Sequence, residues 1–338
     1  MNSGRGIALA FGALICWSIA PFFLSAVGRR LGPLATNMLR LAMATAALLA
    51  FLLIRRLAGG AVPLPQPGPA AWMMASGVIG LTIGDAFLYR AFVSVGPERT
   101  SQIQVLAPAA TAFLAWLALG EILSGRQLAG MALILGGVLA ATTYAAAAAR
   151  AGAGASLAGA SGNGKDAPYG AAPKAAATRF LPGFPPGSWP RGLGSGAWAA
   201  LWSALFQGLG TALARKAFLS QPDLDPVWAT AVRIGSGTLA LWAYAASRGP
   251  VRRGLGAWTE PRTLRVLCLG VAFGPFLGML CYVSALKSAP AGIVTTITFM
   301  TPLLIIPIGA RFRGTKVGKA ALAGTVVSLA GVVLLGLG

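Results

Sequence analysis

Ten long apolar stretches mark this chain, set off from one another by basic, glycine-rich or proline-rich breaks. Seven carry no charge at all: 6–28, 100–120, 127–149, 192–214, 266–286, 288–310 and 320–338. Three more, 33–54, 70–90 and 226–247, carry one or two charges each. A helix that crosses the hydrocarbon of a bilayer needs about 20 apolar residues. A helix on the surface of a soluble domain is shorter and apolar on one face only. The ten stretches are apolar all round. They predict transmembrane helices at 6–27, 33–54, 70–90, 100–120, 125–147, 194–215, 226–247, 264–286, 291–310 and 317–337.

The second half of the chain repeats the first. A shift of 193 positions sets Pro33 on Pro226, Arg40 on Arg233, Tyr89 on Tyr282 and Pro97 on Pro290. A shift of 194 sets Pro108 on Pro302, Gly120 on Gly314, Gly130 on Gly324 and Gly137 on Gly331. These are turn, kink and charged residues rather than interchangeable apolar ones. Each copy holds five spans, and an odd number makes the second copy enter the membrane from the opposite side. The expected fold is therefore an all-α integral membrane protein, with ten transmembrane helices arranged as two inverted five-helix repeats. Residues 1–147 form the first repeat, 148–193 a disordered linker rich in Ala, Gly and Pro, and 194–338 the second repeat. Inverted repeats are the physical basis of alternating access to a midplane site.

Composition narrows the function. Of 338 residues 56% are hydrophobic and only 10% charged, against about 25% charged in soluble domains. The net charge of +20 lies mainly between the spans, where it meets lipid headgroups. No nucleic-acid motif accompanies it, so no nucleic-acid partner is expected. There is no histidine, which excludes histidine catalysis, relays and metal ligation. Cys16, Cys268 and Cys281 lie inside apolar runs without zinc spacing. No catalytic residue, metal or cofactor is expected. The run after Arg5 is too long for a signal peptide and reads as the first helix.

Several segments resemble the drug/metabolite transporter superfamily, EamA-type branch. LALGEILSGRQLAGMALILGGVLA (117–140) resembles the end of that family's module, where a Gly-Glu turn precedes a Gly-rich fifth helix. FRGTKVGKAALAGTVVSLAGVVLLG (312–336) keeps the Gly spacing but has Thr315 where Glu121 stands. PLATNMLR (33–40) and PVWATAVR (226–233) resemble the family's second and seventh helices. The resemblance implies a ten-helix secondary transporter, in a family where many members export amino acids or other small metabolites. It also implies a cytoplasmic N-terminus. That end is at odds with the charge bias, because the opposite side would then hold the excess of Arg and Lys.

Candidate transport residues follow from polar atoms placed in apolar spans. Proline removes the helical partner of the carbonyl four residues earlier. Pro108 thus frees the carbonyl of Gln104 and Pro302 that of Thr298, each in a polar cluster: Ser101, Gln102 and Gln104, then Thr295, Thr296 and Thr298. Either these kinked helices line a substrate site, or side chains simply patch the kinks. Gly274-Pro275 predicts another kink, and Gly80, Gly84, Gly270, Gly274 and Gly278 predict close helix packing. Asp85 is the one acid well inside a span. It and Arg40 lie about 10 Å or less from the same membrane face at helical rise, close enough to pair. Their reading is either a structural ion pair or a proton or amine site. Arg233 matches Arg40, but Gly278 and Met279 stand where its acid would be. It meets either an anionic substrate group or helix-end carbonyls and headgroups. Trp17, Gln207, Thr211, Tyr89 and Tyr282 complete the substrate candidates. Glu121 reads as structural, beside a capping box of Ser124 and Gln127.

The function expected from all this is an exporter or exchanger of a small polar metabolite such as an amino acid, in the cytoplasmic membrane. Its partners are membrane lipid and the solute, with coupling to protons or an ion open and no oligomer required. No P-loop appears, so ATP is not the direct driver. A lipid-carrier flippase is the alternative. A membrane-embedded lipid-modifying enzyme would want clustered acids, histidine or metal ligands, and only seven acids are present.

Overall fold

The computed structural model describes residues 3–31, 33–60, 64–157, 193–247, 260–313 and 319–336. Among them all regular structure is helical. Helix α1 is Ser3–Leu31, α2 Pro33–Leu57, α5 Gly125–Leu157, α6 Leu193–Ser220, α7 Pro226–Ser247 and α10 Lys319–Gly336. The other four are interrupted. Helix α3 runs Pro67–Ser76, widens into a π-helical stretch at Gly77–Gly84, and resumes at Asp85–Val95. Helix α8 does the same through Pro261–Val271, Ala272–Gly278 and Met279–Ser288. Helix α4 breaks between Pro97–Gln104 and Ala107–Leu119, and α9 between Ala291–Thr298 and Thr301–Arg313.

The breaks in α4 and α9 have the cause expected. Pro108 and Pro302 each sit at the start of the resumed segment, where the missing N–H costs nothing. The π-helical stretches occupy matching places one repeat apart. They are rich in glycine, and α8 adds Pro275. Such widened turns gather at functional sites.

Seven helices among the described residues are long and apolar enough to cross a membrane: Gly4–Gly28, Ala35–Leu57, Pro67–Leu88, Arg99–Leu119, Gly125–Tyr144, Pro261–Ser288 and Ala291–Ile308. The apolar part described in α10, Leu322–Gly336, is shorter. Helices α6 and α7 have the length, 28 and 22 residues, but are diluted by Gly, Ser, Thr and Gln. The reason is their place in the bundle. Helix α6 packs against α3 and α4, and α7 against α2 and α3, so more of their surface meets protein than lipid. On the outside, large apolar residues such as Leu53, Leu117, Leu239 and Leu322 are more than half exposed, as a lipid-facing surface requires.

Helix α5 corrects one boundary. It continues through 148–157, the start of the expected linker. That segment is alanine-rich, and alanine is the best helix former. The remainder of the expected linker, 158–192, lies outside the described residues.

Two helix pairs join equivalent positions. On α5 and α10, a methyl group on Gly130 would meet the Gly331 carbonyl at 2.7 Å, and one on Gly137 would lie closer still to the Gly324 carbonyl. The rising order on one helix meets the falling order on the other, so the pair is antiparallel. Only glycine permits this approach. Ser328 Oγ donates across it to the Ile134 carbonyl at 3.1 Å. On α2 and α7, Thr45 and Thr238 join hydroxyls at 3.0 Å, and they stand 193 residues apart.

Candidate functional site

A cavity of about 280 Å³ lies within the bundle, lined by residues of α1, α2, α3, α4, α6, α7, α8 and α9. That is close to the lower end of small-molecule sites, roughly 300–1,000 Å³. The interruptions bring helices to it: Gly80 from one π-helical stretch, Gly274 and Pro275 from the other, and Ala107 and Phe299 from the breaks in α4 and α9. Close packing of α3 on α6 sets the wall. Cβ on Gly210 would stand 2.9 Å from Gly80 Cα.

Tyr282 is the hub of the polar lining. Its hydroxyl shares a 2.8 Å hydrogen bond with Thr211 Oγ1. Its ring stands 5.1 Å from that of Trp17, tilted by 39°. Trp17 Nε1 donates to the Gly274 carbonyl at 3.3 Å, which fixes the indole against the π-helical stretch of α8. Gln207 donates to Ser203 Oγ at 3.0 Å. Thr295 and Thr298 hydroxyls donate back to their own helix, at Ala291 O and Thr295 O respectively.

The charges are unevenly supplied. Arg40 Nη2 lies 3.6 Å from Asp85 Oδ2, and Arg40 Nε donates to Asn37 Oδ1 at 2.7 Å. Arg233 is only 3% exposed. Its Cζ stands 5.6 Å from the centre of the Tyr282 ring, a cation–π approach. Neither its Nε nor its Nη1 has a hydrogen-bond partner. It therefore neither bonds a helix-end carbonyl through these atoms nor snorkels to the membrane surface.

Of the sequence candidates, the structure brings Trp17, Gln207, Thr211, Arg233, Tyr282, Thr295, Thr298, Asp85, Arg40 and Pro275 to the cavity. It does not bring Gln102 or Gln104 there. The break after Gln104 turns that segment so that Gln104 is buried against α6, donating to Ser203 Oγ at 2.8 Å. Pro108 and Pro302 shape the wall without lining it. The carbonyl freed by Pro302 is patched, because Thr301 Oγ1 donates to Thr298 O at 2.6 Å. The side chain of Tyr89 lies outside the described residues. Residues the sequence reading missed include Thr111, Met279 and Phe299. Thr111 sits one turn beyond Pro108, the one signal that points to it.

One end of the bundle is laced together. It is the end where α2, α4, α6 and α8 finish and α3, α5, α7 and α9 start. Glu121 accepts from Arg215 Nε through one oxygen and from the Ala291 N–H, at 3.0 Å, through the other. Arg215, buried, also donates Nη1 to the carbonyls of Leu286 and Lys287 at 2.7 and 3.1 Å. Lys287 Nζ reaches Leu224 O at 2.9 Å, and Arg55 pairs with Asp225 at 2.8 Å. Ser124 and Gln127 form their capping box beside it. At the other end Arg30 pairs with Glu260 at 2.6 Å on the exposed surface. There a hydrogen bond from the Thr263 hydroxyl, then one from Arg30, holds the Glu260 carboxyl below its usual range.

Comparison with known proteins agrees with this architecture. A family model for the EamA-like transporter family matches residues 4–143 and 194–337, one match to each half. A solved crystal structure superposes with a TM-score of 0.67 at 18% identity, covering 99% of this chain and 97% of that chain. At that identity the likeness concerns the fold. No curated protein matches the chain.

Proposed function

We propose, because the chain belongs to the EamA-like transporter family, that it exports or exchanges a small polar metabolite across the cytoplasmic membrane by alternating access. The protein is a multi-pass membrane transporter of small molecules. The finer reading takes the ten helices as ten spans in two inverted repeats. The self-equivalent contacts support it: Thr45 with Thr238, and the crossed glycine pairs of α5 and α10. Such contacts arise when two like halves face each other across a two-fold axis.

The observation that carries the reading is the cavity itself. Both halves contribute to it, its lining mixes Tyr, Thr, Gln, Arg and Asp, and the glycine-rich interrupted helices of both halves frame it. A small polar solute suits that lining better than a bulky lipophilic one. The laced end forms a closed gate in this reading, and the Glu121–Arg215 clamp opens as the halves exchange conformations. Asp85 is the candidate for proton coupling.

Counterflow in proteoliposomes tests this. Vesicles holding the purified protein and a mixture of amino acids, organic acids, sugars and amines are challenged with the same mixture in labelled form. Selective uptake of one chemical class above protein-free vesicles is the expected result. No uptake of any solute contradicts the carrier reading.

A further inference from the structure

Arg233 shares the field of Asp85 with Arg40 but, among the described residues, has no carboxylate of its own in ion-pair contact. It is buried, and its Nε and Nη1 have no hydrogen-bond partner. A guanidinium in that state is costly to bury unless an acceptor arrives. The acid of the cavity, Asp85, stands 3.6 Å from Arg40. The place equivalent to Asp85 in the second repeat is Gly278, and it has no room for an acid. A Cβ there would stand 2.7 Å from the Phe273 carbonyl and press into the Trp17 indole. The second repeat has thus exchanged its carboxylate for the packing of Trp17. Among the cavity-lining side chains, two arginines then face one carboxylate.

We infer that the carried solute is a small monoanion whose carboxylate docks on Arg233. This rests on the carrier reading above. The planar guanidinium presents paired donors that match the two oxygens of a carboxylate. The Tyr282 ring covers one face of the guanidinium and holds the fork in place. Thr211 and Tyr282 hydroxyls stand beside it for the polar remainder of the solute. One bound carboxylate balances the wall. A cation adds to its excess charge, and a neutral solute leaves that charge unbalanced, its oxygen being a weaker acceptor for the guanidinium than a carboxylate.

Heat unfolding of the purified full chain tests this in neutral detergent and low-chloride buffer. The probes are straight-chain and aromatic monocarboxylates, including butyrate and benzoate, each set against its own amide and amine. The expected result is an unfolding midpoint raised by several degrees by at least one acid at millimolar concentration. Its amide and amine leave the midpoint unmoved, Arg233→Gln abolishes the shift, and Arg233→Lys keeps a weaker one. The inference is overturned if no acid exceeds its amide, or if Arg233→Gln responds like the parent. It is also overturned if chloride or inorganic phosphate matches the best acid, or if phosphatidylglycerol nanodiscs abolish the response seen in phosphatidylcholine, which assigns the site to a headgroup. Should Arg233→Gln not fold, the acid–amide comparison on the parent decides. Counterflow separates the two levels. Exchange of neutral or cationic solutes alone overturns the anion and leaves the carrier standing. Exchange of nothing overturns the carrier and the inference with it.

Discussion

Arg40 and Arg233 stand 193 residues apart at the same place in two copies of one unit, yet their surroundings differ. Arg40 has Asp85 at 3.6 Å and Asn37 at 2.7 Å. Arg233 has the face of Tyr282 and no hydrogen bond at Nε or Nη1. The divergence has a steric origin, since Trp17 fills the space that an acid at 278 would need. A second divergence lies at the laced end. Glu121 joins Arg215 and the N–H of Ala291, while its mate in sequence is Thr315. Like backbones thus carry unlike chemistry. In the proposed carrier the halves would differ where solute is held and where the gate closes.

The largest expected effect comes from the paired half. Asp85→Asn removes the cavity's acid, and we expect it to abolish proton-gradient-driven uptake in vesicles while solute exchange at equal pH persists. Unchanged gradient-driven uptake would remove Asp85 from coupling. Next is the clamp. Glu121→Ala leaves Arg215 buried without its acid, and losing one partner of a buried pair costs about 3–5 kcal/mol. Chemical unfolding in detergent reads this directly. A change near zero shows that the carbonyls of Leu286 and Lys287 satisfy Arg215 alone.

The two halves can also be made more alike. Gly278→Asp restores the missing acid but overpacks Trp17, at about 1–3 kcal/mol. Adding Trp17→Ala is expected to recover the part of that loss owed to the indole, the Phe273 carbonyl keeping the rest, and to give Arg233 an internal partner, so that added solute stabilises the double variant less than the parent. Equal destabilisation with and without Trp17→Ala contradicts the steric account. The smallest effect lies on the proposed axis. Thr45→Val removes one hydroxyl from the Thr45–Thr238 bond, worth about 1 kcal/mol, and Thr238→Val should cost the same. Unequal costs would place the two residues in inequivalent settings.

Much of this architecture is legible in the chain. The apolar runs mark the helices, and Pro108 and Pro302 mark the breaks in α4 and α9 within a few residues. Arg40 and Asp85 meet because helical rise sets both at similar depth. The π-helical stretches were not legible beyond their glycines, because a widened turn leaves no periodic mark in an all-apolar run. Closeness to Pro108 in sequence points Gln102 and Gln104 to the cavity, but they do not line it. The break itself rotates the preceding segment, and rotation is invisible in spacing. Arg215 gave no sign of binding Glu121, since the two lie 94 residues apart on different helices. Thr111 and Met279 look like ordinary residues of apolar spans, and only packing makes them walls. Helices α6 and α7 carry more small and polar residues on the faces they pack against α2, α3 and α4, a tertiary fact that hydropathy alone reads as weakness.

In the proposed mechanism the cavity between the halves opens to each side of the membrane in turn. Thiol labelling tests it most directly. In a chain with Cys16, Cys268 and Cys281 replaced by serine, Thr298→Cys places one thiol in the cavity wall. A membrane-impermeant maleimide is applied to right-side-out and to inside-out vesicles, with and without solute. Alternating access predicts modification from both faces, with solute slowing it on each. Modification from one face alone under every condition, or from neither, would contradict it.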